Sequence, residues 1–369
     1  MRKATTWNNA VLIAMALVFG GSAQAADDLN ANCPYFAIQV VDRQTGRGVP
    51  LVELKTTNGI RYVTDSHGLV AFLEPGLMDR EVFFHVESHG YTLAPDGFGY
   101  RGTRVRTTPG TTATIQLDRV NIAERLYRVT GQGIYRDSVL VGRPVPLKDP
   151  VLNGQVVGQD SVFTCLYRGQ IFWMWGDTAR PSYPLGNFAM SGAVSDLPER
   201  GGLDPALGVD LDYFVDESGF SRKMAPLQEG GLIWLDGLLT VPDRQGNERM
   251  VAKFTRLQSL DKVLERGLMV FNDATQTFEP LVRPGLEFLP YRNTGHAFPV
   301  EVDGQAYYYF TSPSPMGSRL RVRATWDDVI DANRYEVLTA LPAGTSDETK
   351  ARWITFSEAL ASLDLNKTA

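Results

Sequence analysis

The sequence predicts an all-β protein: an N-terminal β-sandwich followed by a β-propeller-like domain. Short β-branched runs alternate with Gly, Asn and Asp turns from Tyr35 to about Leu117. Three later segments share one template, a polar start, an apolar strand, a turn and an aromatic strand. Nowhere do strands alternate with the long amphipathic runs of βαβ units.

At 369 residues the chain exceeds one typical core and suggests two domains. Its 36 basic and 42 acidic residues are mixed along the chain, with a formal charge of -6. There is no basic stripe for a phosphate backbone, so nucleic acid is not an expected partner.

Met1-Arg2-Lys3, the apolar stretch Ala10 to Phe19 and the small-x-small site Ala23-Gln24-Ala25 read as a secretory signal peptide over residues 1–25. That stretch is shorter than the ~20 residues a membrane helix needs, and no other segment comes close. The mature protein is therefore expected in the periplasm or outside the cell, without a membrane span. Cys33 and Cys165 fall in different domains; they either form a bridge or remain two buried thiols, and spacing decides neither. There are four histidines and no C-x-x-C or H-E-x-x-H motif. No cofactor is expected; a structural calcium on the propeller axis would suit the Asp-rich turns, but no D-x-D-x-D-G loop supports it.

The first domain spans residues 34–118. Strands are expected at Phe36–Val41, Val49–Leu54, Arg61–Thr64, Val70–Leu73, Glu81–Glu87 and Thr112–Leu117, separated by turns such as Asn58-Gly59 and Pro75-Gly76. The stretch Val41-Asp42-Arg43-Gln44-Thr45-Gly46-Arg47-Gly48-Val49-Pro50-Leu51-Val52, followed by Thr64-Asp65-Ser66-His67-Gly68, resembles the carboxypeptidase-regulatory-like, transthyretin-like module. That resemblance implies a seven-stranded sandwich acting as a spacer or docking module without catalysis. His67, His85 and His89 lie here and are expected to pack or face solvent. Residues 119–130 carry charges at helical spacing and are expected to link the domains through a helical turn or two.

Residues 131–369 form the second domain. Its repeated units run from Gly158 to Asp177, from Trp234 to Phe254 and from Thr294 to Phe310, with starts about 60 to 80 residues apart. The hairpin Gly267–Asp273 to Phe278–Val282 reads as two outer strands of a four-stranded blade, as does Leu320–Trp326 with Tyr335–Leu338.

In a propeller the first strand of each blade lines the central channel, so strand starts share one rim. The template places Asp160, Asp236 and His296 at equivalent starts, with Asp177 following the second strand of the first unit. Asp137 is expected on the strand that begins the ring. Paired carboxylates supply the acid and the base or nucleophile of glycoside hydrolysis. Trp173, Trp175, Tyr183, Trp234 and Tyr291 would stack on sugar faces, and Arg292 would hold substrate. The plainer alternative is that Asp at a strand start caps a turn and aromatics fill interblade space.

Through Gly158-Gln159-Asp160 and Trp175-Gly176-Asp177-Thr178, over roughly Ile134 to Phe356, the domain resembles the five-bladed propeller glycosidases, the arabinanase, invertase and related families. The resemblance implies Asp160 as base or nucleophile and Asp236 or Asp177 as the carboxylate that tunes the acid. Three blades and part of a fourth, near Trp353-Ile354-Thr355-Phe356, are accounted for, against five in that group, and no glutamate matches its acid. The expected function is that of a glycan-active, glycoside hydrolase-like protein with a carbohydrate partner. A non-catalytic carbohydrate- or surface-binding protein is the alternative; a third reading is a polysaccharide lyase with His296 as base and Arg292 or a bound metal as neutralising cation. No G-x-S-x-G or Walker motif occurs.

Overall fold

The computed structural model describes residues 33–284, 295–311, 319–338, 353–355 and 357–358. The signal peptide, Tyr291 and Arg292 lie outside the described residues. No described helix is long and apolar enough to cross a membrane.

The N-terminal part contains β1 (Phe36–Asp42), β2 (Glu53–Thr56), β3 (Arg61–Val63), β4 (Leu69–Phe72), β5 (Glu81–Glu87), β6 (Tyr91–Thr92), β7 (Gly102–Arg106) and β8 (Thr112–Arg119). They make two four-stranded sheets, ordered β4-β1-β8-β6 and β3-β2-β5-β7. Alternation drives the packing: Val82, Phe84 and Val86 of β5 turn inward onto Phe36, Ile38 and Val40 of β1, while Phe83 and His85 turn outward. Eight strands thus stand where the resemblance implied seven. The second strand starts at Glu53 rather than Val49, because Pro50 has no N–H to give a ladder and Leu51 sits at φ 58.

The expected linker helix does not form. Residues 120–130 run irregularly, held by Arg125, which donates to the carbonyls of Pro50 and His89 at 2.6 Å each, and by Arg128 N–H on Ser66 Oγ at 3.1 Å. Asp137 is also placed differently from the expectation. It lies on α1 (Arg136–Leu140), where it accepts from Ala71 N–H of the sandwich at 3.1 Å and pairs with Arg136. Beside it, Asp65 accepts from His67 N–H, Leu69 N–H, Ser138 N–H and Ser138 Oγ, and His67 Nδ1 meets Ser138 Oγ at 3.1 Å. Asp65, Asp137 and Ser138 are all buried, and every bond of this network crosses or braces the junction between sandwich and second part.

That junction makes stability sensitive to acid. Burial holds His67 below the ordinary imidazole pKa, outweighing the opposing pull of Asp65. A folded-state pKa below the unfolded value means that this contribution is whole above about pH 6.5 and is lost as pH falls beneath it. Thermal melts should therefore drop from pH 7 to pH 5, and His67→Gln should flatten that part of the profile.

The second part opens with β9 (Gly158–Gln159) and continues through β10 (Val162–Tyr167), β11 (Gln170–Trp175), β12 (Thr178–Arg180), β13 (Tyr183–Asn187), β14 (Ser191–Asp196) and β15 (Asp212–Tyr213). It goes on with β16 (Leu232–Pro242), β17 (Glu248–Ser259), β18 (Lys262–Asn272) and β19 (Thr277–Val282), then β20 (Ala297–Val302), β21 (Gln305–Thr311), β22 (Arg319–Arg323), β23 (Glu336–Leu338) and β24 (Trp353–Thr355). Three antiparallel sheets result, β10-β11-β14-β15, β16-β17-β18-β19 and β20-β21-β22-β23-β24, with a small sheet β13-β12-β9 beside the first. Their first strands neighbour one another, β10 against β16 and β16 against β20. Trp353–Thr355 does not open a fourth unit; it pairs with β23 as the fifth strand of the third sheet.

β17 is covered on both faces, which its near-continuous apolar run anticipates. Met250, Ala252 and Phe254 join the cluster of Phe172, Met174, Phe271 and Phe278 shared with the first sheet. Val251 joins the cluster of Leu239, Phe310, Val322 and Tyr335 shared with the third.

Both cysteines are free. Burial pushes the Cys165 thiol up to about 12, and its Sγ lies 3.4 Å from Met250 Sδ. Alkylation without reductant should add two adducts to the denatured protein and leave Cys165 unlabelled in the native one; one disulfide-linked mass instead would contradict this.

Candidate functional site

β10 and β11 pair from Val162↔Trp175 to Tyr167↔Gln170, and β9 pairs with β12 through Gln159↔Thr178. The same two chain segments therefore form both ladders, and the residues between them, Asp160-Ser161 opposite Gly176-Asp177, form an irregular crossing. Asp160 N–H donates to Asp177 O at 3.2 Å, and Gly176 N–H donates to Asp160 O at 2.9 Å. Asp177 N–H donates to Asp160 Oδ1 at 3.1 Å. The Asp160 carboxylate lies back over Gly176, where any Cβ would collide with its Oδ1. Ser161 adopts φ 47, a left-handed conformation that redirects the chain into β10.

The Asp160 carboxylate thus lies at the backbone N–H of Asp177, and the two acids have different surroundings. Asp160 is exposed, whereas Asp177 is half-buried, and its Oδ1 is shielded from solvent without a hydrogen-bond donor among the described residues. Burial, and secondarily the Asp160 charge, raises the Asp177 pKa above the ordinary carboxylate value. Beneath them, Gln159 Nε2 donates to Ser191 Oγ at 2.8 Å and Thr178 Oγ1 at 3.1 Å, and Tyr213 OH donates to Gln159 Oε1 at 2.8 Å. Thr178 and Ser191 are fully buried, so this network fixes the strand crossing that carries both acids.

The remaining predicted residues separate into near and far. His296 is exposed at the head of β20, with its ring 5.1 Å from Phe163 of β10. Gly237 N–H on Gly295 O at 2.9 Å ties β16 to the same corner. Tyr183, 60% exposed, begins β13 opposite Arg180 of β12, two strands from β9. Trp234 is half-buried and packs edge-on against Phe188 at 5.4 Å.

Asp236 does not present its carboxylate to solvent. It is buried at a bulge in β16, in register with the fully buried Lys253 of β17, whose ammonium lies 3.6 Å from the Phe310 ring centroid. Desolvation holds Lys253 below the ordinary lysine pKa while the Asp236 charge works the other way. Trp173 and Trp175 stack on each other at 6.0 Å, and Trp175, 4% exposed, packs in a cluster with Ala193, Leu211 and Tyr213. Trp175 has no free face for a sugar, and Trp173 donates its indole N–H to Ser195 Oγ at 2.8 Å.

Sequence reasoning quoted Gln159 and Gly176 only as neighbours of the two acids, without a role, and missed Lys253. The lysine left a signal, since one charge inside the run Met250-Val251-Ala252-Lys253-Phe254 needs a buried counter-charge. Among the described residues no three His, Cys, Asp or Glu side chains gather as metal ligands.

The protein is all-β, built of successive antiparallel sheets, with Asp160 and Asp177 at one strand crossing. No family model matches the chain, and no curated protein does. Among solved structures it is similar to a Bacteroides ovatus protein provisionally assigned as a hydrolase, with 17% identity and a TM-score of 0.31 over 54% of each chain. The chain thus spans about half the length of that protein. It is also similar to a protein described as a glycoside hydrolase (7% identity, TM-score 0.26, 71% of this chain and 74% of that one). A Dyadobacter fermentans protein of unknown function aligns at 11% identity and a TM-score of 0.27, covering 89% of this chain and 98% of that one.

Proposed function

We propose that this is an exported, glycan-active protein of glycoside hydrolase type. Its chemistry runs at Asp160 and Asp177, on the rim of a propeller-like domain spanning residues 131–369, and residues 34–118 form an accessory sandwich. The observation that carries the reading is the Asp160–Asp177 pair: adjacent carboxylates, one exposed and one with a raised pKa. Burial and the neighbouring Asp160 charge let Asp177 hold its proton to higher pH than an ordinary carboxyl, the property that a general acid in glycosidic cleavage requires. Asp160 acts as base or nucleophile and Asp177 donates the proton to the leaving oxygen. Tyr183 offers an exposed ring to a sugar on the adjoining sheet, and His296 lies at the neighbouring strand head. Asp236 has no place in the chemistry and serves as counter-charge to Lys253.

The test is a screen of the mature chain from Ala26 against plant, algal and bacterial polysaccharides, reading reducing ends and ultraviolet-absorbing unsaturated products together. Reducing ends without unsaturation support the proposal. Unsaturated products would instead indicate elimination, and silence from a folded sample that still binds a glycan would leave a binding protein.

A further inference from the structure

The outward face of the β3-β2-β5-β7 sheet carries features that the Asp160 site leaves unused. Between Asp96 and Asp118 the chain holds Arg101, Arg104 and Arg106 and no acidic residue. Arg101 is engaged by Thr92 Oγ1 and Leu93 O. Arg104 and Arg106 lie on the edge strand β7, in register with Phe83 and Glu81, while Lys55 of β2 is in register with His85. Of the carboxylates on this face, Glu53 is paired with Arg61 at 3.5 Å; Glu81 and Glu87 form no ion pair with Arg104, Arg106 or Lys55.

Aromatic groups adjoin these cations. Phe83, His85 and Tyr100 form a chain of edge-to-face rings, with successive centroids 5.0 and 5.6 Å apart. Gly102 makes room for it, since a Cβ there would lie 2.6 Å from Phe83 Cζ. At the tip of the preceding turn Phe98 is 90% exposed. That turn is held firmly: Asp96 Oδ1 accepts from Phe98 N–H and Tyr100 N–H at 2.9 Å each, and Asp96 N–H donates to Tyr100 O at 2.8 Å. An exposed phenyl ring on a turn already ordered in the free protein lowers the entropy cost of binding.

We propose that this face binds an anionic polysaccharide lying along β7. Phe98 and Tyr100 take sugar faces, while Arg104, Arg106 and Lys55 take carboxylate or sulfate groups. Tyr100 to Arg106 spans about 20 Å at strand rise, long enough for several sugars in a row. A neutral glycan would leave the cations unmatched. The inference is independent of catalysis at Asp160.

Affinity electrophoresis of the full mature chain through gels containing polygalacturonate, with dextran as the neutral control, tests this. Retardation is expected in polygalacturonate alone, weakening as ionic strength rises from about 0.05 to about 0.5 M. The R104A/R106A double variant and Phe98→Ala should each raise the apparent Kd at least about tenfold with unchanged circular dichroism. Asp160→Asn should be retarded like the parent, which separates this face from the proposed active site. Equal retardation of parent and Phe98→Ala overturns the proposal. So does parent protein that sediments with phosphatidylglycerol vesicles but runs freely in polygalacturonate. Aggregation of R104A/R106A while Phe98→Ala binds normally also overturns it, leaving the arginines as guards of an open sheet edge.

Discussion

Asp160→Asn and Asp177→Asn should each lower kcat on the glycan found by the screen by about 10²–10⁴-fold, the range a positioned acid or base contributes. Both substitutions keep the size of the side chain, and the amide oxygen introduced by Asp160→Asn can still accept the Asp177 N–H, so the melting temperature should move little. The pH profile adds a readout that structural damage alone would not produce. In the parent, the alkaline limb should lie above the ordinary carboxylate range, because burial and the Asp160 charge raise the Asp177 pKa. Neutralising Asp160 removes the second of these causes, so the Asp177 carboxyl resonance in Asp160→Asn should titrate at lower pH than in the parent. Gly176→Ala should reduce kcat while leaving both carboxylates in the chain, since its Cβ would claim the space of Asp160 Oδ1. Unchanged turnover in both single variants would remove this pair from the chemistry.

The largest stability effect is expected at Asp236 and Lys253. Lys253→Met leaves a buried carboxylate without its counter-charge, and Asp236→Asn leaves a buried ammonium; breaking such a pair costs about 3–5 kcal/mol. In a protein of this size that corresponds to a fall in Tm of roughly 10 °C. The double variant Asp236→Asn with Lys253→Met should recover much of the loss, because no uncompensated charge remains. Urea unfolding of the three variants gives the coupling directly. Additive losses would show that the two residues act separately.

Much of the fold was legible because alternation states which face of a strand is buried. Glu81–Glu87 and the hairpin ending at Val282 were found this way. β7 was not seen, since Val105 is its one strongly apolar residue. Asp160 and Asp177 were both singled out, but not their contact, which depends on an irregular crossing between two ladders that brings residues seventeen positions apart together. Trp175 and Asp236 were misjudged for one reason: a repeat template gives a position along a strand but not the direction of the side chain. A bulge between Asp236 and Leu239 shifts the register there.

Composition, turn chemistry and period-2 patterning were thus enough to establish an all-β chain with a sandwich first and repeated antiparallel units after it, since each reports local backbone preference and burial. The tertiary structure alone decided that Asp160 meets Asp177, that Asp236 belongs to Lys253, and that Asp137 and His67 brace the junction between the two parts. Those pairings join residues 17 to 71 positions apart, and only strand register and sheet packing bring such residues within hydrogen-bond or ion-pair reach.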